Sequence, residues 1–268
     1  MPLLHLIILA IIQGVTEFLP VSSSAHLILF PALTGTTDQG PVIDVAVHLG
    51  TLLAVMLYFH GEVRKIFFGA SYLLKGRATQ PEARFALYLI YATLPAIAVG
   101  FMLKLSGVSG AMRENVALIG WAMLGFGLLL WWADRRPKSL KTVSDFSRGD
   151  ALKLGLWQAL ALIPGTSRSG ITITGALLAG YSRHEAARLS MLMSIPVILA
   201  ATALASLDLI ADEASAQLRD AALAAAFAAF SAFIALGLMM RLLRSISFTP
   251  YVIYRVVFGA GLILWASL

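Results

Sequence analysis

Gln13-Gly14-Val15-Thr16-Glu17-Phe18-Leu19-Pro20-Val21-Ser22-Ser23-Ser24-Ala25-His26 is a polar run set between two apolar stretches, residues 3–12 and 27–33. Crossing a bilayer as a helix takes about 20 mostly apolar residues, and neither stretch is long enough. A helix of ten to twelve residues rises about 15–18 Å, roughly half the hydrocarbon core. The pattern predicts a helix that enters the membrane part-way, ends at Pro20 and returns. A second run, Pro164-Gly165-Thr166-Ser167-Arg168-Ser169-Gly170, lies between 152–163 and 171–180 and predicts the same shape. Backbone that leaves the helix at that depth is tolerated only where it is buried in protein or lines a wet cavity. An isolated charge at the centre of a membrane helix costs about 2.5–3.5 kcal/mol on insertion scales, so both runs are candidate functional sites.

The rest of the chain is built for a bilayer. Of 268 residues, 59% are apolar and 13% charged, against roughly 25% charged in a soluble domain. Mean hydropathy is +0.84. Six further segments, 42–59, 85–103, 116–133, 189–206, 221–240 and 250–267, are long enough to span. The layout repeats. One re-entrant pair and three spans (1–133) precede a basic linker (134–150), and a second re-entrant pair and three spans (151–268) follow. Leu19-Pro20-Val21-Ser22-Ser23 aligns with Ile163-Pro164-Gly165-Thr166-Ser167. Three spans per half force the halves into opposite orientation. The expected fold is an all-α polytopic membrane protein with two inverted-topology repeats, six transmembrane helices and two re-entrant helix–loop–helix pairs. Such repeats place their site near the midplane.

Charge distribution orients the chain. The net charge of +6 forms no nucleic-acid stripe. Fifteen Lys and Arg fall within 59–84, 134–153, 183–188 and 241–244, against Lys104, Arg113 and Arg219 on the other side, beside Asp208, Asp212, Glu213 and Asp220. The positive-inside rule then puts both termini outside and the linker in the cytoplasm. The first tip enters from outside and the second from the cytoplasm. No Lys or Arg precedes the first apolar run and no small-residue cleavage site follows it, which argues against a signal peptide. There are no cysteines, so disulfides and thiolate metal sites are excluded.

The second run is suited to phosphate. Gly165 and Gly170 allow a tight turn and close approach. Thr166, Ser167 and Ser169 offer hydroxyls. A helix starting near 170 points its N–H groups and positive dipole end into the loop. Arg168 adds a planar fork that binds phosphate bidentately. Its bland alternative is to snorkel or to pair with Asp44 or Glu17. The first run supplies reactive groups. Gln13 and Glu17 are four apart and converge on one helix face. Their oxygens suit Mg2+ or Ca2+, with substrate phosphate filling other positions. Ser22, Ser23 and Ser24 lie at the turn, with His26 within reach of Ser23. A hydroxyl near an imidazole near a carboxylate is a nucleophile-plus-base arrangement. Capping is the plain alternative for Ser22 and Ser24, and a backbone hydrogen bond for His26.

Weaker candidates complete the reading. Asp44 and His48, four apart, are placed to support the site or simply to pack. Trp121, Trp131, Trp132, Trp157 and Trp265 read mostly as interfacial anchors, and Met191, Met193, Met239 and Met240 as filler. Arg255, early in the last span, can snorkel. Ala221, Ala222, Ala224, Ala225, Ala226, Ala228, Ala229 and Ser231 allow close helix packing, within the chain or in a homodimer.

The two polar runs resemble the bacterial undecaprenyl-diphosphate phosphatase family, known also for bacitracin resistance. Weaker likeness continues through His48-Leu49-Gly50-Thr51-Leu52-Leu53-Ala54-Val55 and Ile246-Ser247-Phe248-Thr249-Pro250-Tyr251. The resemblance implies an enzyme of the bacterial cytoplasmic membrane, open to the periplasm. It would cleave the terminal phosphate from undecaprenyl diphosphate, a polyprenyl lipid. The product carries peptidoglycan and other envelope polymers. It further implies that Glu17, Ser23, His26 and Arg168 are the functional core. Two departures stand out: Gln13 where glutamate is often found, and Ala25 where glycine is common. On this reading the diphosphate binds between Arg168, the 165–170 amides and a cation near Glu17 and Gln13. Ser23 attacks, and His26 or Glu17 takes its proton. His26 or water as nucleophile competes with this. A lipid-phosphate flippase or transporter using the same midplane site is the alternative from another class.

Overall fold

The structure, a computed structural model, describes residues 2–36, 38–136, 140–209 and 218–268. Lys138, Asp212 and Glu213, which entered the charge count, lie outside the described residues. The described residues form helices and turns, with one isolated bridge between Lys141 and Tyr181. Among the described residues, six helices are long and apolar enough to cross a membrane. They are α3 (Gly40–Tyr58), α5 (Pro81–Ser106), α7 (Val116–Arg135), α10 (Arg183–Leu209, its span ending at Ser206), α11 (Leu218–Leu242) and α12 (Thr249–Ser267). Each coincides with one of the six predicted spans.

Around the first polar run lie α1 (Leu3–Phe18) and α2 (Ser23–Thr34). Around the second lie α8 (Arg148–Ala159), a short 3-10 turn (Leu160–Leu162) and α9 (Arg168–Leu178). The 16 residues of α1 rise about 24 Å, still short of a hydrocarbon core of about 30 Å. Two helices fall where the sequence predicts loops, α4 (His60–Leu74) and α6 (Val108–Glu114). In α4 the cations Arg64 and Lys65 lie beside exposed Phe67 and Phe68, a mixture that suits a helix lying in the membrane interface.

Hydrocarbon offers little hydrophobic drive between helices, so association depends on close packing through small residues. A Cβ on Gly14 would lie 2.6 Å from the Ala228 carbonyl oxygen, and one on Gly50 would lie 2.2 Å from that of Ala225. These contacts seat α1 and α3 on α11, where Ala224, Ala228 and Ala232 are buried. The alanine-rich stripe is thereby used within the chain. Likewise Gly155 brings α8 onto α5, since its Cβ would lie 2.8 Å from the Ala92 carbonyl oxygen. Gln158 donates to that same carbonyl at 3.0 Å.

The linker packs against the second half. Lys141 pairs its backbone with Gly180 and Ser182, and the Val143 N–H donates to Glu185 at 3.0 Å. The Tyr181 hydroxyl donates to Asp150 at 3.0 Å. Burial pushes that phenol above its ordinary pKa, helped by the Asp150 carboxylate. Two sequence readings need correction. Arg255 does not snorkel: it is fully buried between α7 and the second tip, where backbone carbonyls accept from its Nε and Nη2. Trp157 packs against Gly175 inside the protein rather than serving only as an anchor.

Gly50→Val should test the close α3–α11 contact. Overpacking there is expected to cost about 1–3 kcal/mol or more, read as a lowered melting temperature in detergent, while Gly61→Val, which meets nothing, should melt near wild type.

Candidate active site

Both tips turn by the same local device. Ser22 caps α2 with φ 75°, and Ser167 caps α9 with φ 68°. Left-handed backbone is costly for a residue with a side chain and persists only where its surroundings hold it. The two strained caps make Ser22 the counterpart of Ser167, one residue off the alignment read from sequence. The offset lies after the prolines: one residue separates Pro20 from Ser22, and two separate Pro164 from Ser167. Gly165, with φ +91°, lies so close to α7 that a Cβ would sit 2.4 Å from the Ile119 carbonyl oxygen.

The tips meet. Glu17 Oε1 accepts from Arg168 Nη2 at 2.9 Å, and Glu17 Oε2 accepts from Ser23 Oγ at 2.7 Å and Gln13 Nε2 at 3.0 Å. Ser169 Oγ donates to the Leu19 carbonyl at 3.0 Å, a second tie between the halves. Arg168 Nη1 reaches the Ser190 carbonyl at 3.3 Å. His48 Nε2 stands 3.9 Å from Glu17 Oε2, while its Nδ1 donates to the Asp44 carbonyl at 2.7 Å. A cavity of about 460 Å³ opens beside this cluster. Glu17, Ser22, Ser23, Ser24, Asp44, His48, Ser167 and Arg168 give it a polar end, and Ala96, Leu162, Val197, Ile198 and Ala201 give it apolar walls.

Other predicted residues lie behind this surface. Ser169, Thr166, Gly165 and Gly170 do not line the cavity, and Thr166 Oγ1 is buried without a partner. His26 is not brought to Ser23. Its Nδ1 donates to the Ser22 carbonyl at 2.7 Å, and Nε2 meets the Tyr254 hydroxyl at 2.5 Å. A carbonyl only accepts, so the neutral ring carries its proton on Nδ1 and accepts from Tyr254. The ring also stacks on Phe258 at 5.1 Å. Both nitrogens are engaged, and the hydroxyl–carboxylate pair of Ser23 and Glu17 forms without it.

A model of the family described as bacitracin resistance protein BacA matches residues 6–261. The chain belongs to this family. It is 59% identical to the undecaprenyl-diphosphatase of Ruegeria pomeroyi over 263 residues, covering 98% of each chain. It is 56% identical to that of Dinoroseobacter shibae over 266 residues, covering 99% of each. With that of Chromohalobacter salexigens it shares 44% identity over 264 residues, 98% of this chain and 99% of the relative.

Metal-ligand candidates are sparse in this BacA family member. Among the described residues no group of three or more His, Asp or Glu side chains gathers at ligand spacing. Glu17 lines the cavity, whereas Gln13 is fully buried behind it, its Nε2 on Glu17 and its Oε1 without a partner. The donor set fits a hard cation held by one carboxylate, with most of its remaining ligands coming from substrate phosphate and water. Tyr254 and Arg255 contact the two tips without being among the site residues expected from sequence. Their signal was available: an Arg and a Tyr inside a span, where a polar group needs a partner.

Ser169→Ala removes a tie between the tips. The lost bond is expected to lower stability by about 1–3 kcal/mol, read as a lower melting temperature, with Glu17, Ser23 and Arg168 still in contact.

Proposed function

We propose that this protein is an integral-membrane phosphatase that hydrolyses undecaprenyl diphosphate to undecaprenyl phosphate and inorganic phosphate. Family membership and near-full-length likeness to proteins named undecaprenyl-diphosphatase support the substrate. The observation that carries the chemistry is the Ser23–Glu17–Arg168 chain at the mouth of a cavity with one polar end and apolar walls. A diphosphate headgroup suits the polar end, and the isoprenoid suits the apolar walls.

In this mechanism Ser23 Oγ attacks the terminal phosphorus while its proton passes to Glu17 Oε2, its hydrogen-bond partner. The bond from that phosphorus to the bridging oxygen breaks, and undecaprenyl phosphate leaves. Water then cleaves the phosphoserine, returning the proton to Ser23. Arg168 faces both Glu17 and the arriving phosphate, and its fork neutralises charge on the transferring group. Positioning and preorganised charge supply most of the acceleration. A divalent cation, Mg2+ or Ca2+, held by Glu17 and the diphosphate oxygens with Gln13 behind, would add further charge neutralisation. His26 acts by fixing the first tip through the Ser22 carbonyl.

The helix packing supports two inverted repeats with re-entrant tips. Exchanging α1, α3, α5 and α7 for α8, α10, α11 and α12 maps the α1–α11 contact onto α8–α5, while the α3–α10 and α7–α12 pairs map onto themselves. Gly120 and Gly259 lie at the α7–α12 crossing. A Cβ on Gly120 would sit 2.8 Å from the Gly259 carbonyl oxygen, and one on Gly259 would sit 2.7 Å from that of Gly120. The cavity reaches Pro41, Asp44 and Arg113, next to loops poor in cations. The positive-inside rule makes that the periplasmic side of the cytoplasmic membrane.

Purified protein should release phosphate from undecaprenyl diphosphate, and EDTA should suppress the release. Ser23→Ala and Arg168→Ala should each lower it by about three orders of magnitude or more while remaining folded. No release with any divalent cation from a folded sample would overturn the assignment. A trapped phosphoenzyme mapping to His26, or to no residue, would overturn the role of Ser23.

A further inference from the structure

Arg255 is a fully buried guanidinium with no acidic partner among the described residues. Its partners among the described residues are all backbone carbonyls. Nε donates to Met123 at 3.1 Å, and Nη2 donates to Thr166 at 2.9 Å, Gly165 at 3.2 Å and Ala122 at 3.4 Å. Nη1 has no partner and lies against Gly170, where an added Cβ would be 2.8 Å away. Gly127 on α7 leaves room for the arginine stem: a Cβ there would sit 3.2 Å from that of Arg255.

The bond to Thr166 has a geometric consequence. A trans peptide is planar, with its C=O and the next residue's N–H pointing opposite ways. No peptide bond in the described residues is cis. Drawing the Thr166 carbonyl onto Arg255 turns the Ser167 N–H to the opposite side, the side on which Ser167 and Arg168 line the cavity. The amides of Ser167, Arg168 and Ser169 donate to no protein acceptor among the described residues. They are the free donors at the start of α9, the end of a helix that attracts anions.

We propose that Arg255 is the positioning residue of the anion-binding loop: it holds the Gly165 and Thr166 carbonyls behind the loop and so presents the Ser167 amide to a phosphate group in the cavity. Arg168 touches the phosphate from the front; Arg255 acts on it only through the backbone. Lysine keeps the charge but lacks the planar fork that reaches several carbonyls at once. The inference deepens the phosphatase reading and rests on it for the identity of the anion.

The test uses full-length protein in lipid nanodiscs, with inorganic pyrophosphate as the probe. Binding of pyrophosphate, melting temperature, kcat and KM are measured for wild type, Arg255→Lys and Gly127→Ala. The second variant nudges the arginine from α7 and should fold normally. Losing an aligned amide is expected to weaken pyrophosphate binding about tenfold in Arg255→Lys and several-fold in Gly127→Ala, with KM rising in step. The Gly127→Ala melting temperature should stay near that of wild type. Wild-type pyrophosphate affinity in folded Gly127→Ala or Arg255→Lys would overturn the proposal, as would a wild-type protein that binds no pyrophosphate. Wild type that binds pyrophosphate yet hydrolyses no lipid diphosphate would sink the phosphatase reading and leave the role of Arg255 standing.

Discussion

A buried carboxylate from one half of the chain meets a guanidinium from the other, and the rest of the fold keeps them together. Taking both charges out of water costs several kcal/mol per ion, repaid only when geometry is good and the remaining lone pairs and protons are satisfied. Glu17 meets that condition with three donors, Arg168, Ser23 and Gln13. The bond that satisfies the carboxylate is also the bond that aligns the hydroxyl. In the proposed mechanism stability and chemistry share the Ser23–Glu17 bond, while the Arg168 bond to the same carboxylate is the one that needs both halves.

One helix steadies both tips. Tyr254 and Arg255 are neighbours on α12. Tyr254 meets His26, which holds the Ser22 carbonyl, and Arg255 holds the carbonyls of Gly165 and Thr166. Each set of bonds falls at or beside a serine in left-handed backbone. Such strain costs about 1–3 kcal/mol per residue and lasts only where its surroundings over-determine it. In the second tip the Gly170 N–H donates to Ser167 Oγ at 3.1 Å and adds a local brace. His26 and His48 are placed differently. His26 is saturated in the scaffold, while His48 presents Nε2 at the cavity wall.

Much of this was legible in the sequence because a bilayer punishes exposed polar groups. Six spans announce themselves by length and hydropathy, and Glu17 and Arg168 stand out against their apolar surroundings. The positive φ at Ser22 and Ser167 was not legible, since serine does not demand such backbone and only its surroundings hold it there. The helix α4 read as a loop because its cations mask an amphipathic period. Spacing placed His26 within reach of Ser23, but the ring follows its partners on α12, which no local pattern names. Arg255 looked free to snorkel because its ligands are backbone carbonyls on distant elements, invisible to any side-chain motif.

The proposed mechanism requires Ser23 and Glu17 to act as one unit across a single hydrogen bond. A double-mutant cycle on kcat/KM for undecaprenyl diphosphate, with Glu17→Gln, Ser23→Ala and the double variant, tests it most directly. Residues that act together are strongly non-additive, so the double variant should be no slower than the slower single variant. Independent effects that multiply in the double variant would contradict the account.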